Sequence, residues 1–281
     1  MVETAVISAV VMGGFGMLFA LGLAYAANKF RVDTDPKIEL LTNILPGANC
    51  GGCGFSGCQN FAEALVVEQA ELASCRACSP EALAECSAIL GKEVVQREKE
   101  VARVLCGGSS IAAKLTARYS GVRDCRAAIL VGNGNKGCVY GCLGLGTCEQ
   151  ACPFGAVTIS AEMLPVIDED KCTGCGKCVK DCPRGIIEVI PQSKTFLVLC
   201  RSNDKGKVVR EVCKVGCIGC KACMKVCEAN AIEVNDNLAK IDVSKCSCCG
   251  KCVEKCPTKA ISTLNSFSIE AIDKTDLQKP A

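Results

Sequence analysis

The chain has 281 residues, a formal net charge of +2, twenty-seven cysteines and neither histidine nor tryptophan. The absence of histidine excludes Rieske centres, His-ligated haem, zinc sites of mixed Cys and His ligation, and His-based acid–base catalysis. The near-neutral charge gives no reason to predict a nucleic-acid partner.

The first predicted element is a membrane-spanning helix. Residues 4–27 carry no charged side chain, and a stretch of this length can cross the hydrocarbon core of a bilayer. Glu3 precedes the stretch and Lys29 and Arg31 follow it, which is the reverse of the charge order in a signal peptide. By the positive-inside rule we predict a single-pass anchor over residues 1–32, in the cell inner (cytoplasmic) membrane, with the bulk of the chain on the cytoplasmic side.

Small residues recur along this helix. Gly16, Ala20 and Ala24 are spaced four apart, a pattern that lets a partner helix approach closely. Glycine and alanine are also common throughout membrane helices, so the pattern by itself leaves both interpretations open. Because residues 4–27 include no acidic or basic side chain, we predict an anchor and not an ion path.

Residues 33–93 are predicted to form a small helical domain around one [4Fe-4S] cluster. Helices are predicted at residues 38–45, at residues 60–73, and from a serine N-cap at Ser79 to a stop at Gly91. The loop between the first two helices is rich in glycine, which lets backbone N–H groups approach the sulfurs of a cluster. The predicted ligands are Cys50, Cys53, Cys58 and Cys75.

The C-terminal half contains an internal repeat of Cys-x3-Cys followed by a short β-prone stretch. The four copies start at Cys148, Cys178, Cys223 and Cys252. These starts lie 30, 45 and 29 residues apart (178−148, 223−178, 252−223), which groups the copies into two pairs. We therefore predict tandem two-cluster ferredoxin-like domains at residues 138–190 and 213–263, followed by a flexible tail at residues 264–281.

Cluster ligands in these runs are assigned by the ferredoxin rule that the fourth cysteine of a run ligates the other cluster of the pair. The first run departs from the usual spacing, with x3 and x5 gaps in a glycine-rich loop that can absorb the extra length. The predicted sets are Cys138, Cys142, Cys148 and Cys182; Cys172, Cys175, Cys178 and Cys152; Cys217, Cys220, Cys223 and Cys256; and Cys246, Cys249, Cys252 and Cys227.

Two other uses of so many cysteines are less consistent with the pattern. A secreted disulfide scaffold does not fit an odd number of cysteines in C-x2-C repeats without a recognisable signal peptide. Structural zinc is the other alternative, but zinc ribbons pair two C-x2-C knuckles over a long gap, whereas three or four cysteines crowd into each run here. Iron–sulfur clusters in a reducing compartment are the prediction that remains.

Five [4Fe-4S] clusters would use twenty cysteines and leave seven. Cys78, Cys86 and Cys248 have no predicted role. The other four are Cys106, Cys125, Cys200 and Cys213. Residues 183–212 form a longer stretch than a linker requires, and both this stretch and residues 94–137 contain a Val-Leu-Cys run. We predict that the two stretches fold together as a connecting α/β domain, in which the four thiols either hold a sixth cluster or are ordinary buried thiols.

Three features occur in a specific order along the chain. They are the anchor, the motif Leu-Pro-Gly-Ala-Asn-Cys-Gly-Gly-Cys-Gly at residues 45–54, and the repeats that begin with Gly-Cys-Val-Tyr-Gly-Cys-Leu-Gly at residue 137. In this combination the chain resembles the B subunits of Rnf complexes, membrane-bound ferredoxin:NAD oxidoreductases that couple electron flow to sodium or proton pumping. The predicted fold is α+β: an N-terminal transmembrane helix, a small single-cluster domain and tandem ferredoxin-like domains.

The resemblance implies a role in electron transfer within an enzyme complex. It implies that the chain relays electrons between soluble ferredoxin and the membrane partners of an ion-translocating ferredoxin:NAD oxidoreductase, whose flavin and NAD sites lie in other subunits. The chain has no glycine-rich dinucleotide fingerprint between a strand and a helix, so we predict no catalytic residue in it. A membrane-tethered polyferredoxin that serves a hydrogenase or another reductase is the alternative, and a purely structural metal protein is a third.

Overall fold

A computed structural model describes residues 2–30, 35–93 and 97–263. Arg31, used above in the positive-inside argument, and the tail predicted at residues 264–281 lie outside the described residues. Helix α1 covers Val2–Lys29. It is the one helix in the described ranges that is long and apolar enough to cross a membrane, over Val10–Lys29, and none of this window is buried in the protein. The predicted apolar helix is therefore present, and its large apolar side chains from Val10 to Leu23 are exposed.

The next elements form the small helical domain that the sequence predicts. They are α2 (Pro36–Ile44), α3 (Cys58–Val66), a 3₁₀ turn (Leu72–Ser74) and α4 (Pro80–Leu90). Helix α4 has the predicted ends: the Ser79 hydroxyl accepts the N–H of Ala82 at 3.2 Å, and Gly91 adopts the left-handed conformation at φ 65°. Its apolar side faces a core that contains Leu41 and Phe61.

One predicted helix in this domain is too long. Helix α3 ends at Val66 and does not continue to residue 73 as predicted. The chain turns there because Glu68 takes a positive φ of 58°, and the N–H groups of Gln69 and Ala70 both donate to the carbonyl of Ala64. This turn satisfies the last helical carbonyls, and the chain then leads back towards the first cysteines.

The remaining elements form two units of the same design, unit 1 (residues 100–191) and unit 2 (residues 196–263). Unit 1 contains β1 (Glu100–Val104), α5 (Cys125–Leu130), α6 (Thr147–Ala151), β2 (Val157–Ile159), β3 (Pro165–Ile167), α7 (Lys177–Asp181) and β4 (Ile187–Pro191). Unit 2 contains β5 (Phe196–Val198), α8 (Gly206–Val212), α9 (Ala222–Lys225), β6 (Ile232–Asn235), β7 (Leu238–Ile241), α10 (Lys251–Glu254) and β8 (Ile261–Thr263). Each of the four predicted repeats thus begins on a short helix and leads into a strand.

Both units pair their strands in the same way. The first strand pairs with the last and the two middle strands form a hairpin, giving β1–β4 and β2–β3 in unit 1 and β5–β8 and β6–β7 in unit 2, all antiparallel. Val101 lies opposite Ile190 in the first sheet, and Val198 lies opposite Ile261 in the third. The β1–β4 pairing brings the two stretches of the predicted connecting domain together, while the domain boundaries themselves stay a prediction.

Candidate metal centres

The first cysteine-lined cavity lies in the small helical domain. The loop between α2 and α3 is closed by the Asn49 side chain, whose Oδ1 accepts the N–H of Cys58 at 2.8 Å. The turn after α3 returns the chain to this loop. The resulting cavity is lined by the four predicted ligands, together with Cys175 of unit 1. The four are Cys50, Cys53, Cys58 and Cys75.

Two cysteines without a predicted role lie behind this cavity. Cys78 is hydrogen-bonded to Cys75, and this bond lowers the pKa of Cys75 to about 6 despite its burial. Cys86 is fully buried in the same core, and burial raises the pKa of its thiol. The low pKa of Cys75 favours the thiolate form that a cluster ligand requires.

A second cavity lies in unit 2. Its lining includes the predicted set Cys227, Cys246, Cys249 and Cys252. Backbone amides donate to two of these sulfurs: the N–H of Ala231 to Cys227 at 3.3 Å, and the N–H of Cys248 to Cys246 at 3.4 Å. Such bonds orient cluster ligands and adjust their reduction potential. Cys248 therefore contributes its backbone amide, and it also lines the cavity.

In two further predicted sets, the cysteines lie close enough for their thiols to raise the pKa of a shared neighbour. Burial, followed by the neighbouring thiols of Cys172, Cys175 and Cys152, raises the pKa of Cys178 to about 12. In unit 2, burial and the thiols of Cys217, Cys220 and Cys256 act on Cys223 in the same way and raise its pKa to about 11. Buried thiols that surround one another in this way are poor thiolates on their own, so they need the positive charge of a metal to ionise.

A third cavity lies where unit 1 and unit 2 meet. Its cysteines are Cys106, Cys138, Cys200 and Cys213. Three of them belong to the predicted sixth set, but Cys138 takes the place predicted for Cys125. Cys125 lies instead beside Cys148, where burial and then the thiols of Cys125 and Cys182 raise the pKa of Cys148 to about 12. The structure therefore groups Cys125 and Cys138 differently from the sequence-based assignment.

The type of metal can be argued from how the cysteine side chains are arranged in these sites. All twenty-seven cysteines are free of disulfides. Nowhere in residues 2–30, 35–93 and 97–263 do three or more Cys, Asp or Glu side chains come close enough to hold a single metal ion. A lone zinc ion needs its sulfurs about 2.3 Å from one centre. Cavities with four cysteines on their walls fit a polynuclear iron–sulfur cluster better than a mononuclear ion.

Comparison with known families agrees with this chemistry. A family model for an Fe-S cluster matches residues 45–77, a model for a 4Fe-4S binding domain matches residues 164–187, and a model for a 4Fe-4S dicluster domain matches residues 216–267. The matched residues contain the first and second cavities and the cysteine run of α7. Together, the fold and these sites define an iron–sulfur electron-transfer protein with several [4Fe-4S] binding domains and one apolar helix.

Whole-chain relatives identify the family. The chain is 46% identical over 254 residues to the B subunit of the ion-translocating oxidoreductase complex of Methanosarcina acetivorans, covering 90% of this chain and 96% of the relative. It is 44% identical to the B subunit of the Na⁺-translocating ferredoxin:NAD⁺ oxidoreductase complex of Acetobacterium woodii, covering 90% and 76%. It is 43% identical to the proton-translocating counterpart of Clostridium ljungdahlii, covering 99% and 96%. The chain belongs to the B subunits of Rnf-type ferredoxin:NAD oxidoreductase complexes, as the sequence motifs predicted.

Proposed function

We propose that this electron-transfer protein takes electrons from a soluble ferredoxin at unit 2 and passes them through unit 1 and the small helical domain to membrane-embedded partner subunits. The observation that carries this proposal is exposure: of the cysteines, only Cys220 and Cys249 are exposed, and both belong to unit 2. A cluster held by an exposed cysteine has an edge that a protein donor can approach. The other end of the path is set by α1, because the small domain follows the anchor directly.

The finer parts of the proposal concern the clusters and the topology. Units 1 and 2 are two tandem ferredoxin-like domains, supported by their matching strand order and by the dicluster model over residues 216–267. The clusters supply reversible one-electron redox chemistry when bound. The chain holds them with buried thiolates and amide-to-sulfur bonds such as that from Ala102 to Cys172 at 3.4 Å. Helix α1 crosses the inner membrane once, with residues 35–263 on the cytoplasmic side.

Reduction by ferredoxin tests this function. Reduced ferredoxin is mixed anaerobically with the full chain in detergent, and the absorbance is followed by stopped-flow spectroscopy. The absorbance of the clusters in the chain is expected to bleach as they are reduced. Failure of the fully cluster-loaded chain to accept electrons from ferredoxin, while it accepts them from dithionite, would contradict ferredoxin as the donor. Rapid electron uptake from a hydrogenase alone would favour the polyferredoxin alternative.

Exposed lysines beside Cys220 offer a positively charged surface on which ferredoxin can dock. Lys221 and Lys225 are exposed on unit 2, and complementary charge accelerates association by roughly 10- to 1000-fold in a salt-dependent manner. The double variant Lys221→Gln and Lys225→Gln is expected to slow electron uptake from an acidic ferredoxin several-fold at low salt and to weaken its salt dependence. The matched control replaces Lys177 and Lys180, exposed lysines of unit 1, and should change the rate little. Equal losses in both variants would show general charge attraction and contradict docking at unit 2.

The small residues of α1 predict where the protein meets its partners. A Cβ atom built on Gly16 contacts nothing within 4 Å, so nothing in the described residues packs against this small residue. Gly16→Leu with Ala20→Leu is expected to remove most of the protein from the purified complex by blocking close helix contact, with iron per chain unchanged. Pull-down of tagged partner subunits and iron analysis measure the two quantities. Met12→Leu with Leu23→Met is the volume-conserving control, and an assembled Gly16/Ala20 variant would disprove the contact.

A further inference from the structure

We propose a further [4Fe-4S] site at the junction of the two units, ligated by Cys106 and Cys138 of unit 1 and by Cys200 and Cys213 of unit 2. This inference deepens the proposed electron relay and rests on it. We call the place the junction site. Four cysteines line its cavity, as four predicted ligands line each of the two cavities described above.

The sulfurs at the junction site face one another across a glycine. A Cβ atom built on Gly108 would lie 3.5 Å from the Cys106 sulfur and 3.7 Å from the Cys213 sulfur. A Cβ atom built on Gly141, which also lines this cavity, would lie 3.5 Å from the Cys138 sulfur. Glycines at these points leave the space between the thiols free for a cluster.

Backbone hydrogen bonds between distant segments hold the four cysteines in place. The N–H of Gly107 donates to Leu199 at 2.9 Å, which fixes the neighbours Cys106 and Cys200 side by side. The N–H of Lys114 donates to Val212 at 2.8 Å, and the N–H of Gly137 donates to Lys114 at 2.8 Å. These bonds bring the segments that carry Cys213 and Cys138 to the same place. Each ligand therefore sits one residue from a backbone bond, and the site does not depend on flexible side chains for its assembly.

The two units contribute ligands to the junction site from corresponding positions. Cys106 follows β1 and Cys200 follows β5. Just before these cysteines, Leu105 donates its N–H to the carbonyl of Ile186 and Leu199 donates its N–H to the carbonyl of Ala260, both at 2.7 Å. Ile186 and Ala260 each immediately precede the last strand of their unit. The other two ligands correspond as well, because Cys138-x3-Cys142 in unit 1 matches Cys213-x3-Cys217 in unit 2. Each unit thus supplies one cysteine after its first strand and one that lies four residues before its first ferredoxin ligand.

The same correspondence explains what Cys125 does. In unit 2 the ligand run continues from Cys217 to Cys220, but the matching position in unit 1, three residues after Cys142, is Leu145. The first cluster of unit 1 therefore lacks a ligand from its own run. The N–H of Cys125 donates to the Thr147 hydroxyl at 2.7 Å, which places Cys125 next to Cys148. The structure assigns Cys125, Cys142, Cys148 and Cys182 to that cluster, and this assignment releases Cys138 for the junction site.

Buried positive charge at the junction site fits an anionic occupant. The Lys136 side chain lines the cavity at 4% exposure and donates from Nζ to the carbonyl of Gly108 at 2.7 Å. Within the described part of the chain, no carboxylate forms an ion pair with it. Arg201, on the same cavity wall, is paired with Glu188 through Nη2, while its buried Nε has no hydrogen-bond partner. The buried Lys136 ammonium needs a counter-charge, and a cubane with four thiolates is negatively charged.

A cluster here would connect the two units. The N–H of Cys142, a ligand in unit 1, donates to the Cys106 sulfur at 3.3 Å. On the other side, the backbone N–H of Cys217, a ligand in unit 2, faces the sulfur of Cys200. A cluster held by these cysteines would accept one electron from a reduced cubane of unit 2 and would return to its oxidised state when it passes that electron to unit 1. The junction site would then lie between the cluster pairs of the two units.

Iron analysis of the anaerobically purified full chain tests the junction site. Cys106→Ala with Cys200→Ala is expected to lower the iron and sulfide content by about four atoms each per chain, on the four-iron cubane rule. The matched control Cys86→Ala removes a buried thiol that lines no described cysteine cavity and should keep the full content. Native mass spectrometry of the unmutated chain gives an independent measure, with six cubanes expected. Five cubanes, or an unchanged iron content in the double variant, would overturn the proposal.

A second pair of variants tests the ligand exchange. In the Cys106/Cys200 double variant, Cys138→Ala should remove no further iron, because its cluster is already lost. Cys125→Ala in the same background should remove about four more irons per chain. The reverse pattern would restore the sequence-based assignment and overturn this one. A chain with five clusters that still accepts electrons from ferredoxin would leave the proposed function standing, whereas six clusters without such uptake would leave only the junction site.

Discussion

Removing iron from the reduced chain is expected to unfold residues 35–263 while leaving helix α1 intact. The four sheets each have only two strands of three to five residues, and an isolated pair of this size is marginally stable at best. In the core of unit 1, five of the twelve buried residues are cysteines, so the cluster ligands replace apolar packing. The binding free energy of the metal is then folding free energy.

Far-UV circular dichroism and limited proteolysis during chelation measure this collapse. Most of the signal from the short helices and strands should disappear and the part of the chain after α1 should become protease-sensitive, while the 28-residue helix α1 remains. Adding back iron and sulfide under reducing conditions should restore both properties, which serves as the control for irreversible damage. An iron-free chain that keeps its protease resistance would show that apolar packing alone holds the fold.

Replacing Gly52 by alanine is expected to separate the small helical domain from unit 1. A Cβ atom at this position would lie 2.7 Å from the carbonyl oxygen of Cys175 and 3.2 Å from its Cα atom. Backbone atoms cannot give way as side chains do, so the overlap should cost about 1–3 kcal/mol at the contact between the domains. Because Cys175 also lines the first cavity, the two cluster sites meet at this point. A wider separation should slow electron exchange between them.

Flash reduction of the purified chain, followed by time-resolved absorbance, measures this exchange. The Gly52→Ala chain should keep its iron content but equilibrate electrons more slowly between the small domain and unit 1. The control is Gly54→Ala, at φ 92°, where a Cβ atom would contact nothing within 4 Å. This variant strains the same loop without touching Cys175. Equal rates in the two variants would mean that loop strain, and not the contact, determines the effect.

Local features of the chain were predictable because they depend on neighbours in the sequence. The absence of histidine and the C-x2-C spacings determined an iron–sulfur chemistry, since two cysteines three residues apart lie on one turn. The caps of α4 and the helix-to-strand order of each repeat follow from short-range propensities. The sequence also predicted that Cys75 returns to Cys50 and Cys53, which line the first cavity with it, although the turn after Val66 that brings it back was not predicted.

Long-range pairing was decided only by the tertiary structure. Cys106 and Cys200 come together because β1 pairs with β4, β5 pairs with β8, and a backbone bond from Gly107 to Leu199 joins the two units. No local spacing encodes these contacts, so the sequence-based prediction grouped Cys106, Cys200 and Cys213 with Cys125, whereas the cavity is lined by Cys138. The walls of this cavity come from segments far apart in the sequence, and the hydrogen bonds between them form only when both units have folded.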